Sequence, residues 1–280
     1  MTTNPEKHYE NFPVATWLCP AHLRVPVSAI YNFARTADDI ADEGEASTQD
    51  RLDSLAAMRH DLLLIASSRA HCGRWPQVFD PLAVALSNFK LPVSLLDDLL
   101  DAFEQDTRMS ADHAGYATDE DLMGYCGKSA NPIGRLMLHL YGMSEAKLLA
   151  QSDNICTALQ LINFWQDLSV DVPRGRHYVT DQARKRFNVQ RADLGLLPQS
   201  AEATALIADL VLQARKLMEA GAPLARQIPG RAGWELRLVV QGGLRILDKI
   251  ESLDFQTLRI RPRIGKFDIA IMAWRALWMR

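Results

Sequence analysis

Between Ile155 and Leu168 the chain places Ile155, Cys156, Leu159, Leu161, Ile162, Phe164, Trp165 and Leu168 so that no broad polar face is left at a helical repeat. A helix that is apolar nearly all round has to be enclosed, and the rest of the sequence supplies helices to enclose it. Apolar residues recur at helical spacing over Val25–Asp42, Gln49–Ser67, Pro92–Thr107, Asp119–Cys126, Pro132–Tyr141, Ser152–Asp171, Ala201–Ala220, Trp234–Leu253 and Lys266–Arg280. Few windows alternate with period two over the length of a strand, so the expectation is an all-α bundle with this helix at its centre. With 280 residues, 48% of them hydrophobic, and no break in composition, one domain spanning 1–280 is expected.

The few polar groups of the central helix, Asn163, Asp167 and Asp171, follow i, i+4, i+8 and share one side, with no lysine at helical spacing to neutralise them. A second acidic cluster, Asp38, Asp39, Asp42 and Glu43, ends an earlier helical segment just before Gly44, and Pro173 follows Asp171 just as closely. Both clusters therefore fall near helix C-termini, where the macrodipole disfavours acidic side chains by roughly 0.3–1 kcal/mol each. A lone D-D-x-x-D before glycine is more often a solvated helix end. Two such faces turned toward each other would instead suit hard divalent cations, and Mg²⁺ takes carboxylate and amide oxygens together with substrate phosphate. The polyanion that fits is a diphosphate. The turn Val172-Pro173-Arg174-Gly175-Arg176-His177-Tyr178 follows at once, either folding over such an anion or pairing with nearby acids as a surface loop.

Composition excludes other classes. A formal net charge of -3 leaves no basic footprint for nucleic acid. Cys19, Cys72, Cys126 and Cys156 form no C-x-x-C pair, which reads as buried thiols in a reduced cytoplasmic chain. Met1–Glu10 lacks a hydrophobic signal core, and no run of about 18 uncharged apolar residues suggests a membrane span. The C-terminal segment Ile271–Arg280 is apolar with arginines and stacks Trp274 on Trp278 at i, i+4; it either docks on the bundle or makes a peripheral membrane contact.

With these residues in view, the chain resembles the squalene and phytoene synthases, the head-to-head trans-isoprenyl diphosphate synthases. Tyr31-Asn32-Phe33-Ala34-Arg35-Thr36-Ala37-Asp38-Asp39-Ile40-Ala41-Asp42 looks like the first aspartate-rich motif of that family. Asn163-x-x-x-Asp167-x-x-x-Asp171 followed by Arg174-Gly175-Arg176-x-Tyr178 looks like the second. The resemblance implies an isoprenoid synthase fold with two prenyl cavities around a central pocket, and Mg²⁺ held by Asp38, Asp42, Asn163, Asp167 and Asp171. It also implies that His8, Arg35 and Arg174, with Arg176 and Tyr178 of the same motif, form the substrate-binding set, and that Tyr31 lines the place where carbocations form. Phe33, Tyr31, Phe164 and Trp165 are the candidate π faces.

Within the family, His8–Ala15, the Gly44-Glu45 ending, Tyr125–Gly134 and Gly242–Leu247 look most like the bacterial hydroxysqualene synthases of hopanoid biosynthesis, which convert presqualene diphosphate with water and need no reductant. Gly127 and Gly243 stand where phytoene-like relatives carry tyrosines, and Gln166 stands where they carry arginine. These losses would enlarge the pocket and change where water stands, with Asn131, Tyr125 and Gln166 as candidate water-holding groups. Condensation of two prenyl diphosphates to presqualene diphosphate, squalene or phytoene is the alternative, and a non-catalytic assembly factor on the same fold the remote one.

Overall fold

The computed structural model describes residues 19–279, and no strand occurs among them; Gly115 and His177 make an isolated parallel bridge. The helices are α1 (Arg24–Asp42), α2 (Thr48–Ala66), α3 (Pro76–Phe89), α4 (Val93–Ala111), α5 (Asp119–Ser129), α6 (Asn131–Leu140) and α7 (Ala146–Gln166). They continue as the single turn α8 (Leu168–Asp171), then α9 (Asp181–Arg186), α10 (Ala201–Gly221), α11 (Gly230–Ser252) and α12 (Lys266–Leu277). Side-chain oxygens start several of them: Ser47, Thr118, Thr180 and Ser200 each accept from the backbone N–H three residues on.

Three expectations are corrected. The helix α3 is not among the expected segments; Pro76 sits in its first turn, where its missing N–H costs nothing, and Pro81 is tolerated inside. The expected helix Ser152–Asp171 starts earlier and breaks at Asp167. Cys19, Cys126 and Cys156 are buried but Cys72 is exposed, its thiol on the Asp61 carboxylate.

The apolar residues form two cores rather than one. Phe33, Leu55, Phe79 and Leu99 belong to a core built from α1–α4, while Ile162, Trp165, Leu210 and Leu247 belong to a second built from α7, α10 and α11. Helices α4 and α6 serve both, Leu99 and Leu136 facing the first and Ala102 and Leu138 the second. All nine apolar residues of Ile155–Leu168, Ala158 included, are buried, as their lack of a polar face requires. Along the seam between the cores runs an apolar cleft lined by Val27 of α1, Ile133 and Met137 of α6, Ile155 of α7, and Leu236 and Val239 of α11.

Close approach of α10 to α7 depends on Gly221. A Cβ there would stand 2.6 Å from the Gln151 carbonyl oxygen and 2.6 Å from Ile155 Cγ1. Gly127, by contrast, has nothing within 4 Å of its would-be Cβ. Gly221→Ala should therefore destabilise by about 1–3 kcal/mol, whereas Gly127→Ala should be neutral or gain up to about 1 kcal/mol from helix propensity. Urea unfolding midpoints of the two variants measure the contrast, and equal losses would refute it.

Candidate active site

The acidic end of α1 is assembled around two arginines. Arg35 spreads over Asp38 at 3.3 Å, Asp39 at 2.8 Å and Glu43 at 3.0 Å. Arg51 of α2 donates to the carbonyls of Ile40 (2.9 Å), Gly44 (2.8 Å) and Ala46 (3.1 Å), satisfying acceptors left open where α1 ends. Gly44, with φ +78°, turns the chain away.

The second acidic face survives the break in the central helix. Asp167 N–H donates to the Asn163 carbonyl at 2.9 Å and Asp171 N–H to the Asp167 carbonyl at 2.8 Å, so the i, i+4 stepping is kept across the junction. Both oxygens of Asp167 are gripped by Arg261, at 2.5 and 2.9 Å, a fork-to-fork pair reaching back from the segment before α12. Asp171 lies deeper. Burial raises its carboxyl to about 7, the Asp167 charge adds to the rise, and Arg174 and Arg261 only partly oppose it.

The turn after α8 ties the two faces together. Gly175, at φ +77°, has the His113 ring where a side chain would stand, so only glycine fits. Beyond it the Arg176 guanidinium pairs with Asp42 at the end of α1. The segment is stitched to the loop between α4 and α5 by the Gly115–His177 bridge and by N–H donation from Asp181 to Tyr116 and from Gln182 to Ala117. Tyr178 is thereby laid flat on Phe164, ring centroids 3.7 Å apart and planes 10° from parallel, with Tyr116 and Tyr125 continuing the aromatic wall.

Sequence reasoning missed Asp106 of α4. Its carboxylate accepts the Tyr125 hydroxyl, and burial raises it to about 7; the Tyr125 bond opposes the rise, while the charges of Asp38 and Asp171 add to it. Asp106 thus feels one residue from each acidic face. Arg51 and Arg261 were missed as well, although the gathering of Arg259, Arg261 and Arg263 was visible in the sequence.

Asp38, Asp42, Asn163, Asp167, Asp171, Arg35, Arg174, Arg176 and Tyr178 thus sit on α1, on α7–α8 and in the turn that follows α8. Tyr31 lies on α1 two turns before Asp38, half-buried, while His8 lies outside the described residues. Phe33 does not offer a face to the seam: it is fully buried against Phe79. Trp165 is likewise buried in the second core.

Among the described residues no three Asp, Glu, His or Cys side chains converge to form a ready-made metal cage. The carboxylates are drawn to arginines instead. The donor set is nonetheless all oxygen, and the desolvated Asp171 beside Asp167 carries negative charge that the neighbouring arginines do not fully offset, which fits a hard divalent cation.

Residues 5–268 match the squalene/phytoene synthase family. The chain belongs to that family. Over 263 residues it is 31% identical to a hydroxysqualene synthase of Rhodopseudomonas palustris, covering 93% of this chain and 86% of the relative. A presqualene diphosphate synthase of the same organism is 26% identical over 269 residues, covering 95% of this chain and 93% of the relative. The crystal structure of a squalene synthase from Alicyclobacillus acidocaldarius superposes with a TM-score of 0.78 at 31% identity, covering 89% of this chain and 90% of that one. As a squalene/phytoene synthase family member the chain is an enzyme acting on prenyl diphosphates.

The three departures from the phytoene-like pattern have distinct structural outcomes in this family member. A Cβ on Gly243 would stand 2.7 Å from Met218 Cε and 3.2 Å from both Ile162 and Leu159, so here the space of a lost side chain is filled rather than added to a pocket. Gly127 alone leaves open space. Gln166 donates to the Pro262 carbonyl at 2.8 Å, and Asn131 accepts from Thr157 at 2.9 Å, which commits two of the three candidate water-holding groups to protein partners.

Because Asp106 has a folded value of about 7, above the ordinary carboxylate 3.8, the folded chain keeps a proton between about pH 4 and 7 that the unfolded chain releases. Stability should fall as pH rises through that window and level off above it. Asp106→Asn, which can still accept the Tyr125 hydroxyl, should be more stable than the parent at pH 8, by up to about 4 kcal/mol, and nearly equal at pH 4. Denaturant titrations at the two pH values check this.

Proposed function

We propose that the chain is a hydroxysqualene synthase: it ionises presqualene diphosphate, lets the cation rearrange, and captures it with water to give hydroxysqualene and diphosphate. The observation that carries the reading is the axial layout. Val27 precedes Asp38 on α1 by eleven residues, and Cys156 precedes Asp167 along α7 by the same number. At 1.5 Å per residue the apolar cleft begins about 16 Å from the acids, and both helices run from cleft to acid end. A diphosphate with long hydrocarbon tails suits that polarity.

In this reading Asp38, Asp42, Asn163, Asp167 and Asp171 hold Mg²⁺. The metal, when bound, supplies positive charge to the diphosphate as the carbon–oxygen bond breaks. Arg35, Arg174 and Arg176 orient the diphosphate oxygens by charge-assisted hydrogen bonds. The stacked faces of Phe164 and Tyr178, with Tyr125, stabilise the allylic cation electrostatically and keep bulk water out. The Tyr125 hydroxyl and the Asp106 carboxylate are the polar groups at that wall, and we assign the attacking water and the proton it loses to them. The match to hydroxysqualene synthase, stronger in identity than that to presqualene diphosphate synthase, supports the second half-reaction over condensation.

Incubation with Mg²⁺ and without NADPH, in parallel with presqualene diphosphate and with farnesyl diphosphate, tests the proposal by product analysis. Hydroxysqualene from the first substrate and no turnover of the second is expected; consumption of farnesyl diphosphate would make the chain a condensing enzyme. Asp38→Ala and Asp167→Ala should each lower turnover by at least a thousandfold while far-ultraviolet circular dichroism stays unchanged. Activity within tenfold of the parent would overturn the role given to the acids.

A further inference from the structure

Helix α12 is amphipathic in the reverse of the usual sense. Two of its charged groups pair with α11: Asp268, 5% exposed, accepts from Arg245 at 2.7 Å and Lys249 at 2.6 Å, and the more exposed Arg275 pairs with Asp248 at 2.6 Å. Its apolar groups face out. Phe267 is 90% exposed, Trp274 and Trp278 63% each, and Leu277 58%. With Ala270 they follow a spacing of three to four residues along one stripe, and the two indoles lie against each other with ring centroids 5.7 Å apart. Ion pairs hold this helix to α11 together with the buried Ala276, and Met279 just beyond it packs on the second core, while the aromatic stripe stays exposed.

Charge identifies that partner. From Phe255 to the end the sequence carries six basic residues and a single acid, Asp268, in a chain whose formal net charge is -3. Asp268 is buried, while Lys266 at the start of α12 and Arg259 and Arg263 in the segment leading into it are exposed. Indoles flanked by cations suit the headgroup region of an anionic bilayer. No helix among the described residues is long and apolar enough to cross a membrane, so the contact is peripheral. The far end of α12 meets α11, a helix that lines the cleft. Arg237 of α11 donates to the Ala276 carbonyl at 3.5 Å and lies 4.7 Å over the ring of Trp234, itself 41% exposed, and the next residues, Glu235 and Leu236, line the cleft.

We propose that α12 docks the protein on an anionic lipid surface, its aromatic stripe among the headgroups and Arg259, Arg263 and Lys266 against lipid phosphates, with the apolar cleft beside the same surface. Docking stands on α12 alone; its use in exchanging a lipid substrate and product with the bilayer rests on the function proposed above.

Flotation of the full chain with phosphatidylcholine vesicles, and with vesicles containing phosphatidylglycerol, tests docking independently of turnover. The parent should float with the anionic vesicles and far less with neutral ones, and added salt should weaken binding. Trp274→Ser with Trp278→Ser should reduce bound protein at least tenfold, and Phe267→Ser, which removes a nearly free side chain and cannot unfold the bundle, should reduce it several-fold. Absence of flotation, or equal flotation of parent and Phe267→Ser, would overturn the proposal. So would sedimentation showing a dimer that Phe267→Ser converts to monomer without any vesicle binding, which would make a second copy the partner.

Discussion

Mutual repulsion among carboxylates that have lost much of their water is the constraint on which the site depends. Asp171 and Asp106 are both pushed to about 7 by burial, and each is raised further by other acids of the site. Helix geometry adds to the difficulty by placing Asp38, Asp42 and Asp167 at C-terminal ends. The chain answers with Arg35, Arg51, Arg176 and Arg261, each from a different stretch of sequence. Arg35, Arg176 and Arg261 pair with the acids and Arg51 holds the carbonyls at the end of α1, while the Asp171 carboxyl stays raised despite Arg174 and Arg261.

The packing around the site follows from the same need. Two cores, each closed on itself, leave a seam whose end carries the acids and whose length carries apolar side chains. The turn at Gly175 and its bridge to Gly115 fix Tyr178 on Phe164, which precedes Asp167 by one turn of α7. On the function proposed above, charge would meet the leaving diphosphate and the nearby π surface the carbocation it leaves.

Much of this was legible in the sequence because it is local. The i, i+4 spacing of acids, Gly44 after Asp42 and the uninterrupted apolar character of Ile155–Leu168 are properties of single helices, and they announced an all-α fold with paired acidic faces. What escaped depends on contacts between distant segments. Asp106 reads as one more acid on α4, a helix whose Asp97 and Asp101 pair with Arg59, and nothing local marks it as the one that is buried. Arg261 lies 94 residues from Asp167. Helix α3, which tolerates Pro81 in its interior, escaped as well, and the absence of side chains at Gly243 suggested a void that Met218, Ile162 and Leu159 fill.

The seam has a kinetic consequence. Two cores that meet across an apolar channel leave facing hydrocarbon walls, and an apolar molecule lying between them becomes in effect the missing layer of a sandwich. Such a molecule stabilises the fold while it stays, and its departure re-exposes both walls to water. On the function proposed above, an apolar product leaving the cleft carries that cost, so its release slows as the apolar area it covers grows, and a filled cleft raises the protein's resistance to heat.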